Sequence, residues 1–138
     1  MHPIFRNVLA IIAGVIVGGV VNMGLISISG SIVPLPKGVD PSSVESIAEN
    51  LHLYQAKHFI MPFLAHALGT LAGAFVATSI VVNNNRMFGV VIGVFFLVGG
   101  VMACLVIPAP TWFIVLDLIM AYIPMGYLGG KLASGKSD

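Results

Sequence analysis

Charge is scarce in this chain. Asp, Glu, Lys and Arg together make up 8% of its 138 residues, against about a quarter in an average soluble domain. That shortage excludes a conventional water-facing surface, because too few ionic side chains exist to cover one. There is no basic run to meet a phosphate backbone, and a net charge of +1 gives no reason to expect nucleic acid or an acidic partner. Cysteine is limited to Cys104, which excludes an internal disulfide and reads as a small apolar side chain within a span. Histidine is missing from three of the four apolar stretches, which excludes a haem held between facing helices. No nucleophile elbow, phosphate-cradling glycine loop or zincin helix occurs. The sequence therefore predicts no catalytic residue, no metal site and no cofactor, and the protein is not expected to be an enzyme.

What is abundant is apolar sequence, at 58% of residues. It falls into four stretches, Val8 to Val33, His58 to Val82, Met87 to Ile107 and Phe113 to Leu132. At 1.5 Å per residue, each forms a helix able to cross a hydrocarbon core roughly 30 Å thick. The fold expected is all-α, a single integral-membrane four-helix bundle with the lipid bilayer as its surroundings. The first stretch is too long for a signal peptide, whose apolar region runs to only about 7 to 15 residues, and it is expected to remain as a span.

Charge sets the orientation. With the N-terminus in the cytoplasm, an even number of spans returns the C-terminus there, and Arg6, Arg86, Lys131 and Lys136 are then cytoplasmic while Lys37 and Lys57 are outside. This satisfies the positive-inside rule.

The one sizeable connection, Pro34 to Lys57, carries its own helix signals. Asp40-Pro41 reads as an N-cap with proline at the first helical position, and Ser42 with Glu45 matches a capping box. Val44, Ile47, Ala48 and Leu51 then share a face, so a short amphipathic helix over about 41–51 is expected in the first extracytoplasmic loop. Asn83-Asn84-Asn85-Arg86 reads as a tight turn, and Pro108-Ala109-Pro110-Thr111 as a helix stop before an interfacial Trp112. Val17-Gly18-Gly19-Val20 is echoed by Val98-Gly99-Gly100-Val101, each ahead of a Pro-x-Pro, which leaves open a duplicated helical pair.

Every stretch holds a Gly-x-x-x-Gly, namely Gly14/Gly18, Gly69/Gly73, Gly89/Gly93 and Gly126/Gly130. Lipid offers no hydrophobic drive for helix association, so such faces mark close backbone approach, within the bundle or to another chain. The polar residues at membrane depth are Asn22, His66 and Tyr122 near the middle, with His58 and Asp117 nearer the outer boundary. Ionisable groups in lipid are costly and face a bundle interior or a wet cavity. These five form a candidate polar track in which Asp117 and an imidazole share a proton. Alternatively, Asp117 pairs with Lys57 or a helix dipole. Pro62 and Pro124 invite bends.

The stretches Asn22-Met23-Gly24, His58 to Thr70 and Ile123 to Gly130 resemble a family of small four-span bacterial inner-membrane proteins of unknown function. The resemblance implies a bacterial inner-membrane location and carries no activity or site residue. Small multidrug exporters share the size, but their working carboxylate lies deep in the first span, where this chain has Asn22. The leading expectation is a non-enzymatic accessory or assembly subunit, or a homo-oligomer, since packing motifs abound and catalytic ones are missing. The alternative is a small transporter or channel for protons, cations or a small solute, using the intramembrane Asp and His residues.

Overall fold

Apolar side chains on all sides of a segment leave an isolated helix no preferred face, and the helices here are indeed only partly buried. The computed structural model describes residues 1–135 and contains α1 (Pro3–Ile32), α2 (Val44–Asn50), α3 (Ile60–Ile80), α4 (Met87–Val106), α5 (Thr111–Met120) and α6 (Ile123–Ser134). Single 3-10 turns cover Leu51–Leu53, Ala56–Phe59 and Val82–Asn84, and the described residues contain no strand. Four helical segments, Pro3–Ile32, Ala56–Ile80, Met87–Val106 and Thr111–Ser134, are long and apolar enough to cross a membrane. Their outer faces present Ile4, Val20, Met23, Phe95, Leu105 and Ile119, all more than half exposed. Such a surface suits lipid and not water. Lys136 lies outside the described residues.

Helix α3 is the centre of the bundle and packs on α1, α6 and α4. Glycine decides these crossings. A Cβ on Gly14 would lie 2.6 Å from the Gly73 carbonyl oxygen, and one on Gly18 would lie 2.8 Å from that of Gly69. Across the second hairpin, a Cβ on Gly89 would run into the Gly126 carbonyl oxygen, and one on Gly130 would lie 2.6 Å from that of Arg86. Each pair of helices therefore touches backbone to backbone. Gly129 does the same against Leu71 of α3. The Gly-Gly echo is not matched in packing: Gly18 and Gly100 are tightly enclosed, whereas Gly19 and Gly99 face open space.

Polar side chains close the end that carries the N-terminus. The Arg6 Nε donates to the Ile80 carbonyl at 2.5 Å, and the Asn7 Oδ1 accepts from the Val82 amide at 3.1 Å. Both satisfy groups left over at the end of α3. Arg6, read above only as a topology signal, is thus also a helix cap. In the following turn, Asn83 and Asn84 take φ of 61° and 44°, a conformation that asparagine tolerates better than most residues.

The loop helix is displaced from its expected start. The Asp40 carboxylate accepts from both the amide and the hydroxyl of Ser42, at 2.9 and 2.6 Å, so it is spent on a turn and does not cap a helix. These bonds hold its carboxyl below the usual range. Ser43 is the N-cap and accepts from the Ser46 amide at 3.2 Å. The α-helix therefore begins at Val44, and residues 51–53 continue it as a tighter turn.

The fourth span is broken. α5 ends at Met120, Tyr122 has φ −115° and ψ −80°, and α6 restarts at Ile123 with Pro124 in its first turn. A proline has no amide hydrogen to donate and its ring crowds the carbonyl four residues earlier. Here that carbonyl is on Met120, the last residue of α5. Pro62 produces no comparable break, because it falls in the first turn of α3.

Candidate functional site

Asp117 and His66 reach the same depth by simple register. Asp117 lies six residues beyond Thr111, where α5 starts, and His66 lies six beyond Ile60, where α3 starts. Both helices run inward from the loop end, so the two side chains meet. The His66 Nδ1 lies 2.9 Å from each Asp117 carboxylate oxygen. A carboxylate only accepts, so Nδ1 carries the hydrogen and, in the neutral ring, Nε2 is left as an acceptor. Nε2 has no hydrogen-bond partner among the described residues. The Asp117 side chain is 4% exposed and that of His66 26%.

The break in the fourth span supplies the third member. Leaving helical geometry at Tyr122 turns its ring back toward α5, where the hydroxyl donates to Asp117 Oδ2 at 3.0 Å. The Tyr122 and His66 rings stack with centroids 5.7 Å apart. Gly100 on α4 makes room for the phenol, since a Cβ there would lie 2.5 Å from the Tyr122 oxygen. Gly100→Ala is thus expected to displace the hydroxyl from Asp117 and to cost about 1.5 to 3 kcal/mol, the value of a hydrogen bond to a charged group. Thermal unfolding in detergent checks this: Gly100→Ala should destabilise at least as much as Tyr122→Phe, because the added Cβ also meets ring carbons that phenylalanine retains.

Asp117 and His66 form the floor of a cavity of about 270 Å³ in the loop-end half of the bundle, with Tyr122 behind them. Ile26 of α1, Val33 just beyond it, Met61 of α3, Ile107 beyond α4 and Phe113 of α5 supply apolar walls. Ile47 and Leu51, from the apolar face of the loop helix, lie over it with Tyr54. The loop helix thus turns part of its apolar face to the cavity. The Phe59 ring packs on Phe113 and Trp112 with centroids 4.8 and 5.5 Å away, bracing the mouth. Burial raises the pKa of the Tyr54 phenol, which keeps it neutral.

Of the five residues proposed from the sequence, the structure joins Asp117, His66 and Tyr122. His58 lines the same cavity but is not bonded to Asp117. Its Nδ1 accepts from the Gln55 amide at 2.8 Å, so it caps the turn that leads into α3, and its neutral ring carries hydrogen on Nε2. Asn22 stands apart on α1 beside Gly69, with Oδ1 buried and without a hydrogen-bond partner. Asp117 pairs with His66, neither with Lys57 nor with an imidazole at the outer boundary. Sequence reading missed Cys104 and Tyr54 as cavity residues. The only signal for Tyr54 was its place just after the amphipathic helix, and Cys104 gave none.

No group of three or more His, Cys, Asp or Glu side chains is arranged to hold a metal ion among the described residues. The bonded cluster itself offers one carboxylate, one imidazole and one phenol. They can hold or release a proton and accept a donor from the cavity. Comparison with family models, with curated proteins and with solved structures finds no match.

Proposed function

We propose that this protein is a small carrier of the bacterial inner membrane, with both termini cytoplasmic, that binds a small solute in its outer cavity and uses a proton on His66–Asp117 as the coupling ion. The observation that carries this reading is the placement of a buried carboxylate, paired with a partly buried imidazole, at the floor of a cavity. An ionisable pair at membrane depth costs free energy that a purely structural bundle need not spend. The broken fourth span adds support, because discontinuous helices at the midplane are where carriers place their sites. Arg6, Arg86 and Lys131 on one side and Lys37 and Lys57 on the other support the orientation.

The competing reading, an assembly subunit or homo-oligomer, drew its weight from the four glycine faces. Each of those faces meets another helix of the same chain, so they give no argument for a second chain.

The test uses purified protein in liposomes that enclose a pH-sensitive dye, challenged with gradients of an amine, a quaternary ammonium, a carboxylate and a neutral polyol. At least one class should drive proton movement above that of empty vesicles. Silence toward all four, from protein shown to be inserted and monodisperse, would overturn the reading. So would recovery from native membranes only in stoichiometric complex with another protein.

A further inference from the structure

The cavity's charge pattern narrows the solute. No lysine or arginine lines the cavity among the described residues, and Asp117 is the one carboxylate that does. The other titratable groups facing the pair are His58 from the turn before α3, Tyr54 from the loop, Cys104 from α4 and Tyr122 from the break. With His58 held as a neutral tautomer by the Gln55 amide, none of these supplies a fixed positive charge. In the state with a neutral His66 ring, Nδ1 donates to the Asp117 carboxylate, the floor bears one negative charge and Nε2 is a further acceptor. An anion entering would meet that carboxylate with nothing to offset it. A cation would meet the complementary charge among largely apolar walls, where such attraction is stronger than in bulk water.

The walls point the same way. Tyr54, Phe59 and Phe113 all line the cavity, and aromatic faces attract ammonium groups. A cavity of about 150 Å³ holds benzene, so the 270 Å³ here accommodates a body of about one to two rings. We infer that the cavity binds a small hydrophobic organic cation, an aryl or alkyl ammonium, in competition with a proton on the His66–Asp117 pair. This deepens the carrier reading and rests on it for transport, though not for binding. The exchange balances: the pair with His66 protonated is neutral, and arrival of the cation releases that one proton, leaving the neutral imidazole and the Asp117 carboxylate to face it.

The experiment compares three probes of similar shape on the purified full chain in detergent: phenyltrimethylammonium, neutral tert-butylbenzene and benzoate. Calorimetry measures binding, with uptake by protein-free micelles subtracted. The cation should bind at least about thirtyfold more tightly than its neutral isostere. It should release one proton, and its affinity should fall by about tenfold per pH unit on acidification wherever that proton is displaced. Asp117→Asn should bring the ratio of cation to isostere affinity close to one, and a ratio is insensitive to partial loss of folded protein. Equal binding of the isostere, tighter binding of benzoate, or affinity independent of pH would overturn the inference. No binding of the cation, together with proton flux driven by another solute class, would overturn it and leave the carrier reading standing. Cation binding without any flux would support it and remove the carrier reading.

Discussion

Removing His66 is expected to destabilise the protein more than removing Asp117, although the two belong to one pair. In His66→Leu, a carboxylate whose side chain is 4% exposed keeps only the Tyr122 hydroxyl. An uncompensated buried charge of this kind costs about 3 to 5 kcal/mol. In Asp117→Leu, a neutral imidazole loses its acceptor, and one unsatisfied N–H costs about 1 to 3 kcal/mol. The double variant should recover much of the first loss, because neither partner is then left behind. Thermal unfolding in detergent measures the order, and equal losses from the two single variants would show that the pair carries no net charge. Transport separates from stability in Asp117→Asn. The amide keeps the shape and an acceptor for Tyr122, yet cannot balance an added proton, so proton-linked flux should fall by at least about 100-fold.

The second large effect is expected at the crossing of α4 and α6. A Cβ on Gly126 would lie 2.5 Å from the Gly89 carbonyl oxygen and 2.9 Å from the Gly93 Cα. Both obstacles are backbone, which cannot swing aside as a side chain does. Gly126→Val is therefore expected to cost about 3 kcal/mol or more, the upper end for overpacking. It should also shift α6 relative to Tyr122 and so weaken the hydroxyl's bond to Asp117. Gly99→Ala is the control, since a Cβ there meets nothing within 4 Å, and it should leave the unfolding temperature unchanged. A Gly126→Val protein as stable as the parent would mean that these helices do not pack as described.

The spans were legible because crossing a hydrocarbon core is a property summed over about 20 residues, which neighbours do little to alter. The observed helices Met87–Val106 and Ile60–Ile80 lie close to the stretches read from hydropathy. The loop helix was legible through its apolar spacing, but its start was not. Asp40 and Ser43 both carry side chains suited to capping, and only the fold decided which of them turned toward the helix and which toward Ser42.

The site divides in the same way. Sequence determined which residues are too polar for lipid, and therefore that Asp117 and His66 should face the bundle interior or a wet cavity. It also determined that glycine lines one face of every span, and that Pro124 disfavours a continuous fourth helix. Tertiary structure alone decided that Asp117 meets His66 and not His58, because that depends on where α3 and α5 each begin. It alone decided that the Tyr122 ring folds back to close the pair, that Gly100 leaves room for it, and that Asn22 stays outside. Depth along a span follows from residue numbers only once its helix start is known. Counting from the apolar stretches puts Asp117 outside His66, whereas each lies six residues beyond its helix start. The rotation and start of one helix relative to another come from contacts between segments distant in the chain, and no single stretch of sequence contains them.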